Sequence, residues 1–230
     1  MQRKIITTAD GSKTIFIPEW NEQYHSRHGA LQEALHVFIK TGLHHVSHLK
    51  QDDPSTDSLS ILEIGFGTGF NAYLTLLESV KMDLGIDYTG VEAYPVPQKE
   101  LERLDYPQIV TAQAKDAFFD AIHAAPWELQ HHITKNFTIT KREQFFKDID
   151  DVAVFDLVFF DAFGARVQPE LWTESIFGLM YQALKPNGVL VTYSAKGSVR
   201  RAMQAVGFDV ERLPGPPGKR EMLRATKQAT

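Results

Sequence analysis

Residues 62–70 read Leu62-Glu63-Ile64-Gly65-Phe66-Gly67-Thr68-Gly69-Phe70. A short apolar run ends, three glycines alternate, and an apolar-striped stretch follows around residues 71–80. That order predicts a strand, a tight turn and a helix. Glycine lets the backbone turn, and approach a ligand, where a side chain would clash. The helix start then presents free N–H groups. Strand, glycine turn and helix in succession are the opening unit of an open parallel α/β sheet.

The flanking chain continues the rhythm. The opening strand covers 59–64 and the next 86–91. A helix is expected near 114–125 and a third strand at 137–140. Residues 154–160 form a continuous apolar run, as in a strand buried on both faces. A helix over 171–184 is stopped by Lys185-Pro186-Asn187-Gly188, and a strand follows at 189–193. After a helix at 196–206, two last strands, 208–213 and 222–225, pair antiparallel. The fold class is therefore α/β, a Rossmann-like, mostly parallel seven-stranded sheet with helices on both faces. Ahead of it, residues 5–17 read as a hairpin turning at Asp10-Gly11, and 31–49 as a helix with Gly42 as a break. A polar linker spans 51–58. The division expected is an extension at 1–50 and the main domain at 59–230, in one compact unit.

A chain of 230 residues, 43% hydrophobic and 23% charged, suits one well-cored globular domain. No apolar run reaches about 18 residues, so no membrane span is expected. The first residues lack a signal-peptide core, and the chain has no cysteine. A cytoplasmic protein is the expectation. The net charge is −5, but residues 196–230 carry +5. A basic tail on an acidic body suits either a phosphate-rich partner or a solvated mixed-charge surface.

The glycine spacing is Gly-x-Gly-x-Gly rather than the Gly-x-Gly-x-x-Gly of dinucleotide enzymes. Glu63 precedes it, and an acid there suits a cationic ligand end, not a pyrophosphate. Glu92 lies 23 residues after Gly69, where a carboxylate can accept both ribose hydroxyls. Tyr94 is expected on adenine, and Glu143 near the adenine amino group. The pattern resembles motif I of class I S-adenosylmethionine (SAM) methyltransferases. Asp161 ends the 154–160 strand. Ligands of open α/β sheets bind beyond such strand ends. A carboxylate there can orient an amine and accept its proton, or simply cap the next helix.

Longer motifs carry a more specific resemblance. They are Tyr24-His25-Ser26-Arg27-His28-Gly29-Ala30 with Glu33 and His36-Val37-Phe38, then residues 62–71 ending at Asn71, then Val91-Glu92-Ala93-Tyr94-Pro95. Asp161-Ala162-Phe163 with Pro169-Glu170-Leu171-Trp172-Thr173 follows, and then Ser198-Val199-Arg200-Arg201, Gly207-Phe208 and Gly218-Lys219-Arg220-Glu221-Met222. From about Tyr24 to Arg224 the chain resembles the MnmC-like methyltransferases.

The resemblance implies SAM-dependent N-methylation of 5-aminomethyl-2-thiouridine at the tRNA wobble position. The implied cofactor site is Glu63, Gly65, Gly67, Thr68, Gly69, Asn71, Glu92, Tyr94 and Glu143, with Tyr24, Ser26 and Gly29 lining the cofactor or base pocket. Asp161 is the catalytic candidate. Phe163 would stack on uracil, unless it is core. Arg200, Arg201, Lys219 and Arg220 are candidates for tRNA phosphates, or ordinary surface cations. Bifunctional members carry a second, FAD-dependent domain. At 230 residues this chain is expected to be a stand-alone methyltransferase, with a separate enzyme supplying the aminomethyl precursor. The usual Asp-x-Phe-Ala-Pro-x-Lys-Asn-Pro segment reads here Asp161-Ala162-Phe163-Gly164-Ala165-Arg166-Val167-Gln168-Pro169. That departure bears on the substrate.

Other readings share the fold. They are a small-molecule amine methyltransferase, a polyamine aminopropyltransferase, which needs paired aspartates where only Asp161 is evident, and a non-catalytic SAM- or RNA-binding module. His25/His28 and His44/His45/His48 have ligand-like spacing. No acidic cluster completes either set, so no metal is expected.

Overall fold

The computed structural model describes residues 2–26, 29–50, 58–112 and 116–229. The linker read at 51–58 lies almost wholly outside them, as do Arg27 and His28.

The hairpin forms as β1 (Lys4–Thr7) and β2 (Lys13–Ile17). Its turn is closed by Asp10, which accepts the Thr8 and Ser12 hydroxyls, each at 2.6 Å, and the Ser12 N–H at 3.1 Å. A short strand, β3 (Glu22–Gln23), adds to β2 after the 3-10 turn Pro18–Trp20. One helical rod follows. It runs as α1 (Ala30–Ala34), widens to a π-helix over Leu35–His44, and ends as α2 (His45–Leu49). Gly42 does not break it. A Cβ there would lie 3.0 Å from both Phe159 and Val191, so this glycine is where the rod lies against the sheet.

The main sheet is built from β4 (Ser58–Ile64), β5 (Gly85–Val91), β6 (Gln130–Thr134), β7 (Phe137–Arg142), β8 (Phe155–Phe160), β9 (Leu184–Thr192), β10 (Phe208–Pro214) and β11 (Glu221–Lys227). Their order is β10-β11-β9-β8-β4-β5-β7-β6. The four central pairings are parallel, and β10, β11 and β6 run antiparallel to their neighbours. All seven expected strands are present. The eighth, β6, was not legible because residues 130–134 are mostly exposed and carry no apolar run. The 185–188 segment is not a stop between elements but lies within β9.

The helices are α3 (Phe70–Met82), α4 (Gln98–Leu101), α5 (Tyr106–Thr111), α6 (Ala117–Ala124), α7 (Glu174–Ala183) and α8 (Gly197–Ala205). The period-two pattern of β4 and β8 divides the core. Leu59, Ile61, Leu157 and Phe159 meet Phe38, Phe70 and Tyr73 on one face. Leu62, Ile64, Val158 and Phe160 meet Trp172, Phe177 and Met180 on the other. All six side chains of β8 are buried. The one charge among them, Asp156, accepts the Ser60 N–H at 2.8 Å, and Lys185 at 2.9 Å and Lys50 pair with it.

The chain runs outward from β4 through β5 to β7, then returns to lay β8 on the other side of β4. That reversal opens a crevice beyond the carboxyl ends of β4 and β8. The Asp161 N–H donates to Ile64 O at 2.9 Å across it.

Candidate active site

A cavity of about 860 Å³ fills the crevice. Its floor is the glycine loop. Gly65, Gly67 and Gly69 all have positive φ, at 89°, 52° and 69°. A Cβ at Gly65 would lie 2.7 Å from Asp161 O, and one at Gly67 would lie 3.1 Å from the Tyr24 ring. The loop is glycine-rich because it is pressed from both sides. Gly90, which drew no notice in the sequence, makes room in the same way: a Cβ there would lie 2.3 Å from the Phe66 ring.

Glu63 is 1% exposed at the end of β4. It accepts the Tyr88 hydroxyl at 2.8 Å and Asn71 Nδ2 at 2.9 Å. The same Asn71 nitrogen donates to Asp161 Oδ2 at 2.9 Å. One amide thus bridges two carboxylates from adjacent strands. Burial pushes both carboxyls well above their usual range; the Tyr88 and Asn71 hydrogen bonds oppose it at Glu63, while at Asp161 the nearby Glu33 carboxylate adds to it. Asn71 Oδ1 is buried with no hydrogen-bond partner among the described residues, on a residue that lines the cavity. An orphaned acceptor beside two carboxylates fits a cationic ligand end, such as a ligand ammonium.

Glu92 lies at the other end of the loop. Its two oxygens accept the Gly67 and Tyr94 N–H groups, each at 3.0 Å. Burial raises its proton affinity, against the pull of those two bonds. Each oxygen keeps a lone pair for a hydroxyl donor.

Trp20, Tyr24 and Phe163 make the aromatic wall near Asp161. Phe163 meets Trp20 and Tyr24 edge-on, with centroids 5.5 and 5.0 Å apart. Arg166 fastens the post-β8 loop by donating to Trp20 O and Asn21 O at 3.1 Å and to Glu22 Oε2 at 3.0 Å. Thr68 and Ser26 also face the cavity. Thr68 donates to the Tyr106 hydroxyl at 3.3 Å. Gly69 does not line the cavity; it opens α3. Tyr94 lines it but is 61% exposed, at the rim against Phe145.

Two expectations need correction. Glu143 does not face the cavity. β7 ends at Arg142, the Glu143 N–H turns to Glu128 Oε1 at 2.6 Å, and Phe145, Phe146 and Lys147 form that wall. Lys219 is not a surface cation like exposed Arg201 and Arg220 or half-buried Arg200. It lies inside the cavity, pairs with Glu33, and sits 3.8 Å from the Tyr193 ring centroid. Sequence reasoning placed Glu33 in a motif but gave it no role. Of the histidines, His25 is packed against Phe70 and Tyr106, and His44 pairs with Glu78 at 3.1 Å. Among the described residues no group of His, Cys, Asp or Glu assembles as a metal site. No helix among them is long and apolar enough to cross a membrane.

A glycine cradle between two buried carboxylates, at the switch point of this strand order, is the arrangement of a class I SAM-dependent methyltransferase. The chain belongs to the family described as S-adenosyl-L-methionine-dependent methyltransferase, whose model matches residues 108–228. Within it, the chain is an MnmC-like methyltransferase domain, and SAM is its cofactor. It is 31% identical over 219 residues to the tRNA 5-methylaminomethyl-2-thiouridine biosynthesis bifunctional protein MnmC of Ectopseudomonas mendocina, covering 91% of this chain and 33% of that protein. The protein of the same name from Leptospira borgpetersenii is 27% identical, over 89% of this chain and 32% of its own length. The chain thus spans about a third of the length of these curated relatives. The crystal structure of MNMC2 from Aquifex aeolicus matches with a TM-score of 0.76 at 25% identity, over 100% of this chain and 72% of that one. Spermidine synthase from Thermotoga maritima, at 16% identity and a TM-score of 0.52, shares the fold.

Proposed function

We propose that this enzyme methylates the primary amine of 5-aminomethyl-2-thiouridine in the wobble position of tRNA. The observation that carries the reading is the Glu63–Asn71–Asp161 bridge, which ties an acceptor-side carboxylate to the cofactor floor. The names of the relatives support the substrate, because the matched third of each is the part this chain resembles.

When bound, SAM supplies an electrophilic methyl group on a sulfonium sulfur. Glu63 and Asn71 hold the cationic methionine end, Gly65, Gly67 and Thr68 line the loop beneath, and Glu92 takes the ribose hydroxyls, with Tyr94 at the adenine side. Asp161 receives the acceptor ammonium, orients its nitrogen toward the methyl group and takes up a proton as the lone pair is freed. The burial that raises its proton affinity makes it a better base than a solvated Asp. Phe163, Trp20 and Tyr24 supply apolar faces for the uracil ring. The cations outside the cavity, Arg200, Arg201 and Arg220, serve the tRNA backbone.

The test is Asp161→Asn in single-turnover methyl transfer on tRNA lacking the final methyl group, read by nucleoside mass spectrometry. The expected loss is about 10²–10⁴-fold with SAM still bound. Near-normal rates would remove Asp161 from the chemistry. Wild-type transfer to small amines but not to tRNA would overturn the substrate.

A further inference from the structure

We propose that Glu33, through its ion pair with Lys219, is a positioning residue that sets the charge Asp161 presents to the acceptor amine. The proposal rests on the reading of Asp161 as the acceptor-side carboxylate.

Glu33, on α1, is 8% exposed and lines the same cavity as Asp161. Its Oε2 accepts the Ser26 N–H at 3.0 Å, and its other oxygen takes Lys219 Nζ. A carboxylate so buried needs a countercharge, and Lys219 provides it from 186 residues away, out of the loop between β10 and β11. The pair is anchored next to Asp161. Lys219 lies over Tyr193, and the Tyr193 hydroxyl donates to Ala162 O, one residue beyond Asp161, at 2.8 Å.

Several groups act on Asp161 from the elements around it. Asn71 of α3 donates to it, with Glu63 of β4 and Tyr88 of β5 behind that bond. Tyr193 follows β9. Glu33 and Lys219 are the two that act in opposition. The Glu33 carboxylate disfavours a second negative charge on Asp161, and the Lys219 ammonium favours it. The two are joined, so the environment of Asp161 depends on both partners being present. An amine acceptor needs this balance. Asp161 must be charged enough to draw in an ammonium and basic enough to accept its proton.

The experiment follows the Asp161 side chain directly, by carbon-13 NMR of protein labelled at the aspartate carboxyl carbon, with Asp161→Asn identifying the signal. Glu33→Gln leaves Lys219 unopposed, and the titration midpoint should fall. Lys219→Met leaves Glu33 unopposed, and the midpoint should rise. Shifts of about one pH unit are expected for a neighbouring charge. Lys219→Arg should restore the wild-type midpoint, which a purely structural role would not require. The acidic limb of the single-turnover rate should move with each midpoint. Midpoints that stay put, or move the same way in both variants, would overturn the proposal. Opposed shifts in a protein that fails to methylate tRNA would support the electrostatic role of the pair and reject the substrate reading alone.

Discussion

Glu92→Ala separates a nucleoside-binding carboxylate from a loop brace. The side chain already accepts two N–H groups, one from the glycine loop and one from its own turn, each at 3.0 Å. One lone pair per oxygen remains, which matches the two hydroxyls of a ribose. Hydrogen bonds to a charged group contribute about 1.5–3 kcal/mol each. Part of that is offset because burial already disfavours the ionised form. A net loss of about 1–3 kcal/mol, roughly 5- to 150-fold in Kd, is expected. Glu92→Gln keeps the shape, but its NH₂ must face either the Gly67 or the Tyr94 N–H. Donor would meet donor, so glutamine should recover less than half of the lost binding energy. Isothermal titration with SAM reads both variants, and thermal melts check the fold. An alanine variant that melts normally and binds SAM within twofold of wild type would refute the ribose assignment.

Other outcomes follow from the same geometry. Gly65→Ala forces a Cβ to 2.7 Å from Asp161 O at a positive φ; overpacking should cost about 1–3 kcal/mol in denaturant melts and lower turnover more than SAM affinity. Equal losses in both would place the clash elsewhere. Neutralising Arg200, Arg201 and Arg220 together should weaken tRNA binding and flatten its salt dependence while SAM binding stays constant; an unchanged salt slope would move the tRNA path off this face. Burial holds the proton affinity of His25 down at about 4, against about 6.5 in the unfolded chain. Between those values the unfolded chain binds the proton and the folded one does not. Stability from His25 is therefore full above pH ~6.5 and lost as pH falls toward 4, at up to about 1.4 kcal/mol per pH unit. His25→Asn should shallow that acid slope, and an identical slope would refute the buried, neutral histidine.

The sheet was readable because its signals are local. Glycine spacing, the acid before the loop and the continuous apolar run of β8 each sit within ten residues. The place of Glu92 at the cavity was readable for the same reason, as the first residue past β5. Glu143 failed because the path after β7 depends on Glu128, which captures its N–H from a separate loop. Lys219 failed because its partner is 186 residues away. In sequence it stands beside Arg220 and looks like one more basic residue. Glu33 carried no signal of its own, since an acid three residues into an apolar-striped helix usually faces water. Gly42 misled because a glycine in a helix marks either a break or a close approach, and only the sheet beneath it decides which.

The Asn71 amide gives the site a fixed gauge. One nitrogen spends both of its protons spanning the carboxylates at the ends of β4 and β8, so a single functional group sets how far apart they stand. Asparagine at 161 keeps an oxygen to accept the Asn71 N–H, so that substitution leaves the gauge standing. Two parts of the cavity wall, the Pro18–Trp20 turn and the segment after Phe163, lie beyond the reach of that gauge. The stretch from Gly164 to Gln168 lies outside the bridge, and there Arg166 grips the Trp20 and Asn21 carbonyls without touching it.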